Sequence, residues 1–173
     1  GPGDHRPTPP GRLLRDLANG TLPALPMGGS INLVDVRLLA DALARADDMG
    51  QAGAEYLLTG CDVSFGTLAD AMAEVTGLPM PRERVPYPVA WAAAAAEDLV
   101  WSRLTARRPN ASFDGVRMAG RQRRFSNALA KRDLELGETD LQATLRAALD
   151  WMVHNGMVDR VLPGLDTRTD TAS

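Results

Sequence analysis

The sequence predicts one mixed α/β unit that is mostly helical and contains a few short strands. A chain of 173 residues with 45% hydrophobic residues is long enough to bury one sizeable core. Short apolar runs at residues 31–34 and 55–59 each precede a stretch with helical periodicity. Most of the helical stretches begin at a capping residue or end at glycine or proline, which indicates separate helices joined by loops.

The N-terminal segment is predicted to be a loop that leads into a helix. Glycine and proline dominate residues 1–10, so no regular hydrogen-bond ladder is expected there. Leucines recur at helical spacing in residues 12–18, and Gly20 follows as a stop signal. We therefore predict a helix over residues 12–18.

A strand and a second helix are predicted next. The apolar run at residues 31–34 is typical of a short strand, and Asp35 is suited to cap a helix that ends before Gly50. Helical periodicity predicts a buried face for this helix. Its members are Leu39, Ala42, Leu43, Ala46 and Met49.

The same order is then predicted again. Residues 55–59 are expected to form a strand, residues 60–62 a turn, and Ser64 the cap of a helix that runs to Thr76. The apolar face of this helix comprises Phe65, Leu68, Ala69, Met72 and Val75. A short edge strand is expected at residues 82–85.

Helices are predicted over most of the remaining chain. Residues 88–105, 113–120 and 126–134 have helical patterns. The last helix has the strongest start signal, because residues 139–142 match a capping box. The apolar residues that follow on one face are Leu141, Leu145, Leu149 and Met152.

Composition limits the classes of partner and compartment. A net charge of -3 argues against general binding to nucleic acids, which requires an excess of cations. The longest apolar run, at residues 89–96, is much shorter than the roughly 20 residues that span a bilayer. Because Cys61 is the only cysteine, no disulfide is expected, and we predict a cytoplasmic location. A single domain is expected over residues 1–162, with a disordered tail at 163–173.

Six short segments occur in an order and spacing that resemble the downstream half of extended short-chain dehydrogenases/reductases. They are Gly-Pro-Gly-Asp-His-Arg-Pro-Thr-Pro at 1–9, Ile-Asn-Leu-Val at 31–34, Glu-Tyr-Leu-Leu-Thr-Gly at 55–60, Phe-Asp-Gly-Val-Arg-Met at 113–118, Phe-Ser-Asn-Ala at 125–128 and Ala-Leu-Asp-Trp-Met at 148–152. The chain is most similar to the hopanoid-associated sugar epimerase and dihydroflavonol-reductase-like branch of the NAD-dependent epimerase/dehydratase group.

This resemblance implies a substrate-binding role. In the family, the Gly-Pro-Gly loop follows a strand of the dinucleotide sheet near the nicotinamide, and the chain beyond it builds the lobe that covers the substrate. Loops on a rigid scaffold often carry function, so Asp4, His5 and Arg6 are candidate substrate-binding residues. Asn32, in the matched Ile-Asn-Leu-Val segment, is another.

The resemblance begins downstream of the family's dinucleotide-binding motifs. The glycine-rich phosphate turn is missing, and neither tyrosine is part of the family's Tyr-x-x-x-Lys pair. Tyr56 is followed four positions later by Gly60, and Tyr87 by Trp91. No cofactor is therefore expected to bind this chain alone; NAD(P) would require a partner chain with the Rossmann fold.

Within the matched region, four positions depart from the family pattern. Relatives typically read Asn-Leu-Val-His-Val-Asp-Asp-Val-Ala, whereas this chain has Asp35 at the histidine and Arg37-Leu38 at the two acids. Glu138 replaces a usual tyrosine. Asp35 and Glu138 are thus candidate catalytic residues and Arg37 a candidate substrate-binding residue. For Asp35, helix capping is the commoner role of an aspartate at such a position, and both interpretations stay open.

Two further groups of residues have alternative interpretations. Arginines at positions 117, 121, 123 and 124 either bind a phosphate or carboxylate or form a solvated helix face, and Arg117 is the best candidate for the first role. The two histidines, His5 and His154, are far apart in sequence and have no nearby set of metal ligands.

Our leading hypothesis is the substrate-binding half of a split or truncated NAD(P)-dependent epimerase, dehydratase or reductase. A partner chain would then supply the cofactor and the Tyr/Lys pair for a small-molecule substrate. The alternatives are a free-standing, cofactor-independent enzyme that catalyses a cyclisation or isomerisation, a non-catalytic interaction protein, and a segment of a longer polypeptide. Because a truncated sheet exposes an edge, we expect a homo-oligomer or a Rossmann-bearing partner, and whether the chain is an enzyme by itself stays open.

Overall fold

A computed structural model gives the fold of the protein and confirms an α/β unit that is mostly helical. It describes residues 1–22, 24–26, 29–81, 84–86, 89 and 125–165. The helices are α1 (Pro9–Asn19), α2 (Val36–Met49), α3 (Phe65–Thr76), α4 (Ala128–Asp133) and α5 (Leu141–His154). The strands are β1 (Leu25–Pro26), β2 (Ser30–Leu33), β3 (Cys61–Ser64) and β4 (Arg84–Val85).

The strands form two separate pairs. β1 pairs with β4 in parallel, with Leu25 opposite Arg84. β2 pairs with β3 in the antiparallel direction, from Ser30 opposite Ser64 to Leu33 opposite Cys61. The predictions at residues 31–34 and 82–85 thus correspond to observed strands, whereas the breaker-rich sequence around β1 gave no strand signal.

The predicted strand at residues 55–59 is wrong in position. These residues belong to no ladder, and β3 lies at Cys61–Ser64, partly inside the segment predicted to be a turn. A strand requires a neighbour for its backbone groups, and β2 provides that neighbour to residues 61–64. An apolar run by itself does not reveal where the neighbour lies.

The main core lies between α1, α3 and α5. The predicted apolar face of α3 is buried throughout, and on α5 the buried members are Leu145, Leu149 and Met152, with Leu141 partly buried. α1 contributes Leu14 and Leu17. These helices bury the faces that their periodicity predicts because each contacts the other two.

The packed chain extends beyond the predicted boundary at residue 162. Leu165 is only 2% exposed and joins the main core, and the Gly164 N–H donates to the Thr76 carbonyl at 2.9 Å. The predicted tail therefore does not begin at residue 163, and residues 166–173 lie outside the described residues.

Capping follows the sequence signals with one exception. Asp35 and Ser64 cap α2 and α3 as predicted, each accepting a backbone N–H with its side chain. α5 is capped by Asp140, whose carboxylate accepts from the Ala143 N–H at 3.1 Å. The predicted capping box, with Thr139 as the cap, is thus wrong by one residue, because the aspartate at the next position takes that role.

A small second cluster of apolar residues connects α2 to α4. Its buried members, which define the α2–α4 cluster, are Ala42, Ala130, Leu134 and Leu136. Of the predicted face of α2, only Ala42 is buried, while Leu43 is 58% and Met49 is 45% exposed. The prediction of burial is wrong for these two residues because the cluster covers only one side of the helix.

Several predictions concern residues that are not described. The helix at residues 113–120 lies outside the described residues, as does the helix at 88–105 except for Val89. Among the described residues, no helix combines the length and apolar character that a bilayer crossing requires.

Candidate functional site

Three parts of the chain meet at what we call the loop–helix corner. It consists of the N-terminal loop (residues 1–8), the start of α2 at Asp35 and Arg37, and Thr144 and Trp151 of α5. A β-carbon added to Gly1 would overlap the Val36 side chain, so the loop lies directly against α2. Asp35 and His5 each contact α5, as described below.

The loop is anchored to the start of α1. The Asp4 carboxylate accepts from the Thr8 backbone N–H at 3.1 Å and from the Thr8 hydroxyl at 3.3 Å. Thr8 is the N-cap residue but makes no capping bond itself, and proline occupies the first helical positions. Asp4 thus places a negative charge near the positive end of α1, which stabilises the loop–helix junction. Its predicted role in substrate binding remains a prediction.

His5 and Arg6 lie on the exposed surface of the loop. The His5 ring packs edge-to-face on Trp151, with ring centroids 5.0 Å apart and planes at 80°. Such aromatic contacts hold a ring in one orientation. Arg6 is exposed and makes no hydrogen bond to a described residue. Their predicted contact with substrate is untested, and both side chains are accessible for it.

Asp35 is the most heavily bonded carboxylate of the corner. It is 5% exposed and accepts from the Arg37 backbone N–H at 2.9 Å, from Arg37 Nε at 2.9 Å and from Arg37 Nη2 at 2.5 Å. The Thr144 hydroxyl adds a hydrogen bond at 3.1 Å from α5. Asp35 therefore ties the start of α2 to α5.

These bonds determine the charge state of Asp35. The Arg37 side chain lowers the pKa of Asp35 to about 2, and this effect exceeds the opposing effect of burial. A carboxylate with this pKa is ionised at neutral pH, and its oxygens already accept four hydrogen bonds. This geometry favours a positioning role for Asp35 over proton transfer, while its predicted catalytic role stays untested.

Arg37 combines a fixed inner side with an exposed outer side. Two of its guanidinium nitrogens bind Asp35, yet its side chain is 59% exposed. A planar guanidinium that is held at one edge keeps further N–H groups for oxygen acceptors of a ligand. The arrangement is compatible with the predicted role of Arg37 in substrate binding.

Asn32 lies in β2, the strand that precedes α2. Its side chain links β2 to Gly60 and to Asp62 of β3. Its Oδ1 accepts from the Gly60 N–H at 3.0 Å, and its Nδ2 donates to Asp62 Oδ1 at 2.8 Å. A β-carbon on Gly60 would overlap the Leu33 carbonyl oxygen, so the backbone passes too closely for any side chain. The amide of Asn32 is already bonded, and its predicted contact with substrate remains untested.

Two threonine hydroxyls beside Gly60 were not singled out from the sequence. The Oγ1 atoms of Thr59 and Thr139 are buried and make no hydrogen bond within the described part of the chain. The backbone carbonyl of Thr59, in contrast, has a hydrogen-bond partner, because Asn127 Nδ2 donates to it at 2.7 Å. In the sequence, Asn127 was indicated only by its position in the segment at residues 125–128, which resembles the family.

Glu138 lies in the loop between α4 and α5. Its carboxylate pairs with Lys131 at 2.6 Å, and its side chain is 85% exposed. Among the described residues, no hydrogen bond or ion pair joins Glu138 to Asp35 or Arg37, and its predicted catalytic role stays untested. Arg117, the remaining candidate, lies outside the described residues.

Metal binding has no support in the described part of the chain. No group of three or more histidine, cysteine, aspartate or glutamate side chains is arranged there to hold an ion. Cys61 is half-buried, and burial raises the pKa of its thiol. A thiol in that environment is less reactive than an exposed one.

No protein-family model matches the chain, but two curated relatives do. "Sterol demethylase protein B" of Methylococcus capsulatus is 30% identical over 159 residues, which cover 91% of this chain and 48% of the relative. "Putative dihydroflavonol 4-reductase" of Synechocystis sp. is 29% identical over 162 residues, which cover 91% and 47%. The chain thus spans about half the length of the curated relatives it matches.

Two solved structures are also matched over slightly less than half of their own length. The crystal structure of gox2253 superimposes with a TM-score of 0.70 over 92% of this chain and 48% of its own, at 24% identity, and so supports the fold. A nucleoside-diphosphate-sugar epimerase from Pseudomonas aeruginosa matches with a TM-score of 0.65 at 28% identity, over 86% of this chain and 43% of its own. The chain is therefore similar to about half the length, the C-terminal part, of proteins that are named as reductases and epimerases.

Proposed function

We propose that this chain forms the substrate-binding part of an NAD(P)-dependent epimerase- or reductase-type enzyme. A second unit would carry the dinucleotide and the groups that transfer protons. The observation that supports this most is the extent of the match, which covers 91% of the chain but only 48% of the relative. This coverage supports the proposal that the chain is one part of a larger enzyme.

The cofactor is assigned to the second unit because of the strand–helix junctions. A dinucleotide pyrophosphate binds where a glycine-rich turn connects a strand to a helix N-terminus. The junction after β2 is Val34-Asp35, and β3 continues directly into α3 between Ser64 and Phe65. Neither described junction fits the cofactor, so we derive no chemical step from it within this chain.

The loop–helix corner is the proposed contact with substrate. His5, Arg6 and Arg37 present exposed side chains there, and each carries nitrogen donors suited to hydroxyl, carbonyl or anionic oxygens of a small molecule. Asp35 is then a positioning residue, because it holds the guanidinium of Arg37 at a fixed place above the start of α2. Thr144 in turn holds Asp35.

Calorimetric titration with NADH and NADPH tests whether the dinucleotide binds outside this chain. The chain alone is expected to bind neither, whereas a chimera is expected to bind one of them. In that chimera, this chain replaces the matched part of the Methylococcus capsulatus relative. Tight binding by the chain alone would show that it holds a dinucleotide site and would overturn the proposal. Failure of a well-folded chimera to bind either cofactor would also count against it.

The contribution of the corner is tested in the same chimera. Arg37→Ala should weaken binding or turnover of a substrate of the relative by about tenfold to a hundredfold, the usual effect of losing a charged hydrogen bond. Arg45→Ala is the matched control, since Arg45 lies on the same helix and pairs with Glu135 on the surface. Equal effects of the two substitutions would remove Arg37 from the site.

A further inference from the structure

The N-terminal loop is attached to α1 and α2 by contacts that leave the His5 side chain out. Its first residue lies directly against the start of α2. The Asp4 carboxylate binds Thr8 at the start of α1, and the Arg12 guanidinium donates to the Pro7 carbonyl at 3.1 Å. These contacts fix the two ends of the loop, and none of them orients the imidazole of His5.

The His5 side chain is attached instead to α5. Its backbone N–H donates to the Gly3 carbonyl at 2.9 Å, which is a bond within the loop. No hydrogen bond joins the imidazole to the part of the chain that the structure describes, but the ring lies edge-to-face on Trp151 with centroids 5.0 Å apart. Among the described contacts, it is therefore Trp151 that orients this ring.

Trp151 lies in the last turn of α5 and is itself well held. It is partly buried and packs against the main core. Its carbonyl accepts from the Asn155 backbone N–H at 3.1 Å and from Asn155 Nδ2 at 2.8 Å. The segment after α5 is joined to the end of α1, because Asn19 donates to the Met157 carbonyl at 3.1 Å and accepts from the Asp159 N–H at 3.0 Å. The indole is thus a fixed support for the loop.

One face of α5 supports both parts of the loop–helix corner. Thr144 and Trp151 are seven residues apart, which places them on the same face of the helix, two turns or about 10 Å from each other. Thr144 donates to Asp35, which in turn holds Arg37. Trp151 contacts His5. A single helix therefore sets the relative places of the two exposed side chains, the imidazole and the guanidinium.

We propose that Trp151 is a positioning residue for substrate binding, which orients the His5 imidazole toward the ligand without touching the ligand itself. The inference rests on the proposed function, since it takes the loop–helix corner as the contact with substrate. A side chain that is oriented before the ligand arrives loses less conformational freedom on binding. Loss of Trp151 should therefore weaken substrate binding through His5 and leave the later chemical steps nearly unchanged.

Proton NMR of the chain alone tests the contact. The chain has two histidines, so a His154→Gln variant identifies the imidazole signals of His5. Trp151→Phe identifies the signals of the Trp151 indole in the same way. A nuclear Overhauser effect between the two rings is expected, because their centroids are 5.0 Å apart. Its absence in the folded chain would overturn the inference, whatever the variants do to stability.

A double-mutant cycle in the chimera tests whether Trp151 acts through His5. Trp151→Leu and His5→Ala should each raise KM for a substrate of the Methylococcus capsulatus relative about threefold to tenfold, with kcat nearly unchanged. The double variant should show no further increase, because the second substitution removes a contact that is already lost. Additive effects on KM would mean that Trp151 acts by another route and would overturn the inference.

Two further variants separate positioning from loss of structure. Trp151→Phe keeps an aromatic ring and should restore most of the wild-type KM. Val153→Ala is the matched control, because Val153 also packs against the main core but faces another side of α5, and it should leave KM unchanged. Partial unfolding lowers kcat through the active fraction and leaves KM as it was. A fall in kcat alone for Trp151→Leu would therefore overturn the inference.

The outcomes also distinguish this inference from the proposed function. A raised KM for His5→Ala together with a wild-type KM for Trp151→Leu would support the loop–helix corner and overturn the positioning role. A wild-type KM for His5→Ala would remove His5 from the substrate contact and overturn the inference, while the titrations with NADH and NADPH test the place of the cofactor independently.

Discussion

The main core and the α2–α4 cluster differ in how completely they bury their helices. Among the described residues, eighteen side chains are buried in the main core, and only four are buried in the cluster. α3 buries the face that its periodicity predicts, whereas α2 leaves Leu43 and Met49 exposed. The difference indicates that the partners of α1, α3 and α5 lie within the described residues, whereas those residues cover only one side of α2.

Truncation of a core leucine should have the largest effect on stability. Leu149 is fully buried between helices of the main core, and Leu149→Ala should lower the free energy of unfolding by about 3–5 kcal/mol through lost burial and the cavity left behind. Leu43→Ala on exposed α2 is the control and should change it by less than about 0.5 kcal/mol. Similar midpoints of urea unfolding for the two variants would contradict the inferred difference in packing between the main core and α2.

A side chain at position 60 should have the next largest effect. Gly60→Ala forces a methyl group into the Leu33 carbonyl oxygen, and β2 must then separate from the segment that leads into β3. We expect a loss of about 2–4 kcal/mol, in the range of severe steric substitutions.

Gly137→Ala is the matched control for this substitution. A methyl group there would meet only the mobile end of the Leu38 side chain, at 3.0 Å, so the loss should be below about 1 kcal/mol. Thermal unfolding of both variants tests this prediction. Equal losses of stability would mean that the contact with the Leu33 carbonyl oxygen does not exclude a side chain at position 60.

Acid should weaken the connection between the main core and α2. Because the pKa of Asp35 is lowered to about 2, its unfolded form binds a proton more readily than its folded form as the pH falls. The stabilisation is therefore complete above about pH 5 and is lost progressively between about pH 5 and pH 2, with a total of about 2 kcal/mol.

Asp35→Asn should remove this pH dependence. The variant should be about 2 kcal/mol less stable than the wild type at pH 7 and should differ little from it near pH 2. Thr144→Val, which removes a single hydrogen bond to the same carboxylate, should cost about 1 kcal/mol and leave most of the pH dependence in place. A constant difference between wild type and Asp35→Asn from pH 7 to pH 3 would contradict the assignment.

The surface pair of Glu138 should have the smallest effect. Glu138→Gln removes an exposed ion pair with Lys131 and should change stability by less than about 0.5 kcal/mol. In the chimera, a loss of turnover of more than about tenfold would instead support the predicted catalytic role of Glu138, because loss of an exposed surface pair does not explain such an effect. Steady-state kinetics of the two proteins makes the test.

The candidate site was only partly predictable. The sequence indicated that Asp35 could cap α2, which is a local interaction with Arg37 two residues away. It could not indicate that Thr144 would also bind Asp35 or that His5 would pack on Trp151, because these pairs are distant in sequence. The pKa of Asp35 depends on those contacts and on burial, so it too required the three-dimensional arrangement.

Local signals determined α1, α3 and α5. Glycines at positions 20 and 77 end α1 and α3 in the left-handed conformation, and apolar periodicity selected the face that each helix buries. The tertiary structure decided the partner of each strand and the exposed side of α2. Helical hydrogen bonds join residues close in sequence, so their signals lie in the sequence, whereas strands and buried faces depend on neighbours that only the folded chain brings together.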